Sequence, residues 1–311
     1  MGEWSKKIGE YGENVVEKFL SVIGWTNPAK GVEIPCAKQN EEHKNKDGKP
    51  VRTHGIDFLY SYMSPLVDGQ LNNIIISSKF KTEKYPSSPT KVFKNFFEDL
   101  ANTIDCFDAS EQKNQVLEVH KQFSSINDVG VLFWLNNQKD SNDDLISVIA
   151  NANIDMCMDK TIYIMDNKRV AFILDLINYI KALNKYDYTF FYPSTGQNVN
   201  PITRTDNGTI LPVEYINSSI IPIRLENKSN HNEVSFFIGS IDGFDQDGFM
   251  RLMGLAKDMS KHLTGEVIIG FPDYNNLEHE NAVSIAKHGY EDVDFAKTVS
   301  VVNYHNPSIV F

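Results

Sequence analysis

Two short segments concentrate the groups in this chain that could do chemistry. They are His54-Gly55-Ile56-Asp57 and Asn73-Ile74-Ile75-Ile76-Ser77-Ser78-Lys79-Phe80-Lys81. The first delivers a carboxylate and the second an ammonium, the pairing that metal-assisted phosphodiester hydrolysis needs. Ile56 and Phe58 flank Asp57, so strand alternation puts its side chain on the opposite face. An unpaired buried carboxylate is costly, which leaves Asp57 facing solvent or a cation. Gly55, two residues earlier, would let backbone or ligand approach closely. Ser77 and Lys79 share one face of the second segment, and Ser78 takes the other. If the two segments pair as strands, Asp57 lies beside Ser77 and Lys79 at one end of a sheet. Mg2+ takes oxygen ligands, commonly one or two carboxylates with water and phosphate. Lys79 would then orient the attacking water or offset charge on the phosphate. The plainer alternative is a half-exposed strand carrying an ordinary surface lysine.

Further acids precede this pair. Glu10, Glu13 and Glu17 are spaced three and four apart, which makes one negative edge of a helix. Glu13 follows Gly12, where a small residue would let the helix pack near the sheet, and could reach a metal held by Asp57. The competing reading is a solvated face partnered by Lys6, Lys7 and Lys18. After the second segment Lys79, Lys81, Lys84, Lys91 and Lys94 crowd together with Phe80, Tyr85 and Phe93 interleaved. Lys81, Lys84, Lys91 and Lys94 are the candidate nucleic-acid contacts, since lysines serve phosphate backbones as mobile point charges. A solvated surface is the bland alternative here too.

These groups need elements to hold them. Val15, Val16, Phe19, Leu20 and Ile23 recur at helical spacing, which predicts a helix over 10–23 ended by Gly24. The polar run 37–53 reads as a surface loop, 55–60 as a strand, and 73–80 as a second, central strand. Helices are predicted over 90–108 and 111–124, a strand over 129–135, and a weaker helix over 142–152. A strand over 160–165, a helix over 170–183 and a strand over 188–192 follow. The turn-rich stretch 193–212 reads as a linker between a first domain, 1–192, and a second, 213–311. In the second, strands over 219–225, 233–238 and 266–271 alternate with helices over 249–263 and 279–288. The order predicts an α/β layer architecture with mixed pairing, followed by a small α/β domain.

Bulk composition narrows the function classes. Hydrophobic content of 41% and charged content of 23% across 311 residues describe a globular chain rather than a disordered one. No apolar run is long enough to span a membrane, and the acid-bearing N-terminal stretch does not read as a secretory signal. Cys36, Cys106 and Cys157 are odd in number and widely spaced, which suggests neither a disulfide framework nor a zinc cluster and fits a reducing, cytoplasmic setting. The net charge of −11 is unevenly placed: residues 1–100 hold 14 basic and 13 acidic side chains, the remainder 16 and 28. A nucleic-acid contact therefore belongs in the first third. The acidic remainder reads as support or as a surface for another protein.

GEYGENVVEKFL, then HGIDFLY, then IIISSKFK resembles the PD-(D/E)xK nuclease superfamily over about residues 8–100, with a sheet extending towards 192. The Mrr-like restriction endonucleases and the nuclease subunits of bacterial anti-phage defence systems are the similar branches. The resemblance implies a restriction-endonuclease-like mixed sheet flanked by helices. It also implies hydrolysis of DNA with Mg2+, or Mn2+ in its place, as cofactor. Glu13 stands where the family's helix-borne acid assists the metal, with Glu10 less favoured; Asp57 matches the metal-binding aspartate and Lys79 the lysine. Ser77 stands where the second acid belongs. Some relatives carry a polar residue there and remain active, while others with degraded motifs only bind DNA or partners. The alternative function is therefore an inactive nuclease-fold subunit acting as a binding or structural component of a complex. A regulatory or sensor protein encoded nearby is the expected partner, a homo-oligomer is compatible, and no membrane is implied. Phosphodiester chemistry alone does not distinguish sugars, which keeps an RNA substrate as a third reading.

Other constellations lead elsewhere or nowhere. There is no Walker A sequence, and Gly239, Gly243 and Gly248 lack a phosphate-loop lysine. Asp242, Asp245 and Asp247 make no complete EF-hand loop and read instead as a capped loop before a helix. His279 and His288 are too far apart for a zinc motif and His262 stands alone. Ser194 and Ser284 lack the setting of a hydrolase nucleophile.

Overall fold

The computed structural model describes residues 2–38, 43–44, 48–138, 144–154, 160–260, 263 and 265–305. Cys157 and His262 lie outside the described residues, as do parts of the predicted 37–53 loop and 142–152 helix. The chain divides into two compact units, Met1–Val170 and Ala171–Phe311.

The first unit runs α1 (Gly2–Val22), β1 (Ala29–Pro35), β2 (Thr53–Met63), β3 (Gln70–Lys81), α2 (Pro89–Phe107), α3 (Glu111–Val119), β4 (Ser125–Asn136), α4 (Leu145–Ile149) and β5 (Ile162–Met165). Its five-stranded sheet has the order β1-β2-β3-β4-β5. β1, β2 and β3 pair antiparallel, whereas β3, β4 and β5 pair parallel. The predicted mixed α/β sheet flanked by helices is thus present. β3 and β4 are central and covered, which is why each reads as an almost unbroken apolar run.

α1 buries Val16, Phe19 and Leu20, with Ile23 just past its end completing the stripe the spacing predicts, and Phe19 meets Phe133 of β4 edge-on at 5.7 Å between ring centroids. Gly24 takes φ 84°, a left-handed backbone that stops the helix. α2 begins with Pro89 at its first turn, where a missing N–H costs nothing. Its buried Phe93, Leu100, Ile104 and Phe107 pack with Ile56, Ile75, Leu132 and Trp134 from the sheet. Each such side chain removed from water contributes about 1.5–3 kcal/mol.

β2 and β3 separate at one end. Their register runs from Met63 opposite Leu71 to Phe58 opposite Ile76. Beyond that point β2 continues beside β1, to Thr53 opposite Pro35, while β3 continues beside β4, with Lys79 opposite Trp134. The fork places Asp57, Ser77, Ser78 and Lys79 at a common mouth.

The second unit begins within α5 (Asn167–Leu183) and continues through β6 (Tyr186–Phe191), β7 (Asn207–Gly208), β8 (Ile220–Asn227), β9 (Val234–Ser240), α6 (Gln246–Met259), β10 (Val267–Phe271), α7 (Asn276–His288), α8 (Val293–Thr298) and β11 (Val299–Asn303). Its sheet order is β11-β10-β9-β8-β6-β7. Three expectations need correction. The division falls near Val170 rather than in 193–212, and β6 belongs to the second sheet because it pairs antiparallel with β8. α3 stops at Val119 rather than 124, because the chain must re-extend before Ser125 pairs with Gln70. Among the described residues no helix is long and apolar enough to cross a membrane.

Candidate active site

Asp57 sits where the β2–β3 ladder ends. Its Oδ2 accepts the Ser78 backbone N–H at 2.6 Å, so the carboxylate takes the place of the absent strand partner. Burial pushes the Asp57 carboxyl above its ordinary range, against the lowering pull of that N–H and of the Lys79 ammonium; the nearby Asp99 adds to the rise. Ser77 is buried beneath it and contributes a hydroxyl hydrogen bond.

Glu13 reaches the same mouth from α1. Loss of solvation raises its carboxyl first, then the charge of Asp57, then that of Glu10. Its helical neighbours are spoken for: Lys30 approaches Glu17 at 2.5 Å and Lys6 approaches Glu10 at 3.9 Å. Among the described residues Glu13 has no ion-pair partner. Gly12 makes this placement feasible. A Cβ on Gly12 would come within 2.3 Å of Phe80 Cβ, so α1 seats directly on the strand residue after Lys79. Tyr11 closes the other side of that contact, edge-on to Phe80 at 5.3 Å.

Lys79 Nζ lies 3.4 Å from Asp99 Oδ2 and 5.6 Å from the Phe96 ring centroid, both on α2. Phe80 faces α1 and Lys79 faces α2, as strand alternation demands. The site is therefore assembled from both faces of the sheet: Glu13 from one side, Asp99 from the other, Asp57 and Lys79 between. Asp99 escaped sequence reasoning. Its only signal was a position three residues after Phe96 on the helix that buries Phe93 and Leu100. Gly55 departs from expectation, since a Cβ there would meet nothing within 4 Å and no close approach occurs.

Lys81 ends β3, Lys84 lies in the turn after it, and Lys91 and Lys94 stand on the first turns of α2. The first three are exposed and Lys94 is half-buried. Among the described residues none of the four has an acidic partner.

A second cluster lies apart from this mouth. Cys36, His43, His54 and Cys106 are all buried, with one potential metal-ligating atom from each within 4.8 Å of one another. Cys36 and Cys106, widely spaced in the sequence and read there as suggesting neither a disulfide framework nor a zinc cluster, are thus neighbours in the fold. No compact motif announces the cluster, because Cys106 is contributed by α2, Cys36 and His43 by the loop after β1, and His54 by β2.

Sheet order, fork and flanking helices define a nuclease domain of the PD-(D/E)xK superfamily. A family model described as the GAPS4 protein PD-(D/E)XK nuclease domain matches residues 1–169, more than half of the chain, and the chain belongs to that family. No curated protein matches the chain.

Proposed function

We propose that the chain is a Mg2+-dependent endonuclease hydrolysing phosphodiester bonds in DNA, acting in bacterial anti-phage defence. The observation that carries this reading is the convergence of Glu13, Asp57 and Lys79 at the open end of the β2–β3 fork. Two carboxylates that resist ionisation together, one of them without a lysine partner, are a donor set suited to a hard divalent cation. Mn2+ fits the same oxygens.

Asp57 and Glu13 would hold the cation, and the Ser78 N–H fixes which oxygen of Asp57 remains available. A bound cation would supply Lewis-acid polarisation of the phosphate and ready deprotonation of water. Lys79 meets the phosphate or the attacking water, leaving Asp99 as DNA arrives. Asp99 stands where it can accept a proton or add a carboxylate in place of the one Ser77 lacks. Lys81, Lys84, Lys91 and Lys94 would carry the DNA backbone past the site. Residues 171–311 serve assembly or sensing with a regulatory protein encoded nearby.

One observation favours a second reading, a nuclease-fold subunit without activity: Ser77 leaves the strand without its second acid, and Lys79 is engaged by Asp99. Plasmid DNA incubated with Mg2+ and the purified chain, with and without its genomic neighbour, separates the two. Cleavage should fall about 10²- to 10³-fold in Lys79→Ala and at least as far in Asp57→Ala. Equal cleavage by wild type and both variants removes the site assignment, and no nicking with any divalent metal, alone or in complex, favours the inactive subunit.

A further inference from the structure

We infer that Cys36, His43, His54 and Cys106 form a structural zinc site within the first unit. The four come from separate places: Cys36 follows β1, His43 lies in the loop after it, His54 is the second residue of β2 and Cys106 lies in the last turn of α2. Cys36 Sγ and Cys106 Sγ are 3.9 Å apart, and His43 Nδ1 is 3.4 Å from each sulfur. A tetrahedral zinc with bonds of about 2.3 Å to sulfur and about 2.0 Å to nitrogen sets its ligands about 3.8 Å apart for S–S and about 3.5 Å for S–N. These three edges match that tetrahedron, and His54 brings a fourth ligating atom within 4.8 Å of the others. The sulfur–sulfur edge is also far too long for a disulfide, whose sulfurs sit about 2.0 Å apart.

Two independent features point the same way. His54 is 5% exposed, and among the described residues its buried Nε2 has no hydrogen-bond partner, a costly state that a metal bond relieves. His43, placed to bind the metal through Nδ1, has its Nε2 3.6 Å from Asp105 Oδ2, so a carboxylate stands behind the ligating imidazole. The Ala37 backbone N–H donates to Cys106 Sγ at 3.4 Å, which steadies sulfur carrying negative charge.

Soft sulfur paired with imidazole in a closed, fully protein-ligated set selects zinc rather than the hard cation of the fork. No ligand position is left for water, so the site holds the fold and does no chemistry. It ties the loop after β1 and the start of β2 to the last turn of α2. His54 stands three residues before Asp57, and Asp99 lies two helical turns before Cys106, so the same clasp sets the spacing of the catalytic fork.

The test uses the full chain purified under reducing conditions without added metal. Elemental analysis should find about one zinc per chain, and a Cys36→Ser/Cys106→Ser double variant should have lost it. If that variant does not fold, the wild-type chain still decides the matter. Replacing its zinc with cobalt should give the intense visible bands of a tetrahedral ion together with thiolate-to-metal charge transfer in the near ultraviolet. Removal of zinc by a strong chelator should lower the melting temperature, and zinc, but not magnesium, should restore it. Retention of zinc by the double variant, a cobalt spectrum without thiolate bands, or a metal-free chain that takes up no zinc on titration would overturn the assignment.

Discussion

Asp57 is anchored by a backbone N–H at 2.6 Å while burial and Asp99 resist its ionisation. Glu13 shares that resistance, first through loss of solvation and then because Asp57 opposes its charge. Carboxyls with folded values above the ordinary range bind protons in the folded chain at pH values where the unfolded chain has released them. Without metal, stability contributed by these groups is therefore lost as pH rises from the ordinary carboxylate value, about 4, through the raised folded value. Asp57→Asn removes a reluctant charge yet keeps an oxygen for the Ser78 N–H. In thermal melts of metal-free protein at neutral pH it should melt no lower than wild type, with any gain shrinking towards pH 4, while cleavage drops at least about 10²-fold. A melting temperature several degrees below wild type would mean that Asp57 serves the fold rather than a cation. The same shifts bear on the pH dependence of the proposed cleavage. Protons compete with Mg2+ for Glu13 and Asp57, so the rate should decline with falling pH at values above those of ordinary carboxylates. Asp57, Lys79 and Glu13 could be proposed from the sequence because each sits inside a short, strongly patterned segment. Asp99, His43 and His54 were not, since their significance comes from partners brought close only by folding.

Gly12 shows how an element's seating governs what it presents. The missing Cβ lets α1 rest on Phe80, and Glu13 follows immediately. Gly12→Ala places a carbon where Phe80 Cβ already stands, so the helix must lift, at a cost of about 1–3 kcal/mol. The expected result is a melting temperature lower by a few degrees and a larger proportional loss of cleavage, because Glu13 moves with the helix. Phe80→Ala should not rescue it, since the nearest overlap is with Cβ rather than the ring; rescue would place the strain elsewhere. α1, β2, β3, α2 and β4 were legible because a buried face imposes a clean apolar period. β1 and β11 were not, for both are edge strands. β1 carries Lys30, Glu33 and Pro35, which discourage pairing along a free edge and erase the alternation that marks a strand. β6 was legible as a strand, but its sheet was not. Only its pairing with β8 assigns it, and pairing between distant segments leaves no local trace.

Charge distribution belongs to the molecule as a whole. Residues 1–170 carry a net charge of −4 and residues 171–311 a net charge of −7, so neither unit attracts DNA by its total. The proposed DNA binding must then draw on a local patch, and Lys81, Lys84, Lys91 and Lys94 are its candidates beside the fork. Each lysine that neutralises a phosphate contributes about −0.9 to the slope of log affinity against log salt. Replacing all four with glutamine should flatten that slope by about 3 to 4 and weaken binding similarly for every DNA sequence, because phosphate contacts carry no base information. Glutamine substitutions at Asp187, Asp245 and Asp294, in 171–311, should leave the slope unchanged within error, since counterion release depends on the cations at the contact. Fluorescence anisotropy of labelled duplex DNA over a salt series, with the metal omitted to prevent cutting, reads both quantities. An unchanged slope in the quadruple lysine variant would move the DNA path away from α2, and a slope altered by the acidic substitutions would bring residues 171–311 into the contact.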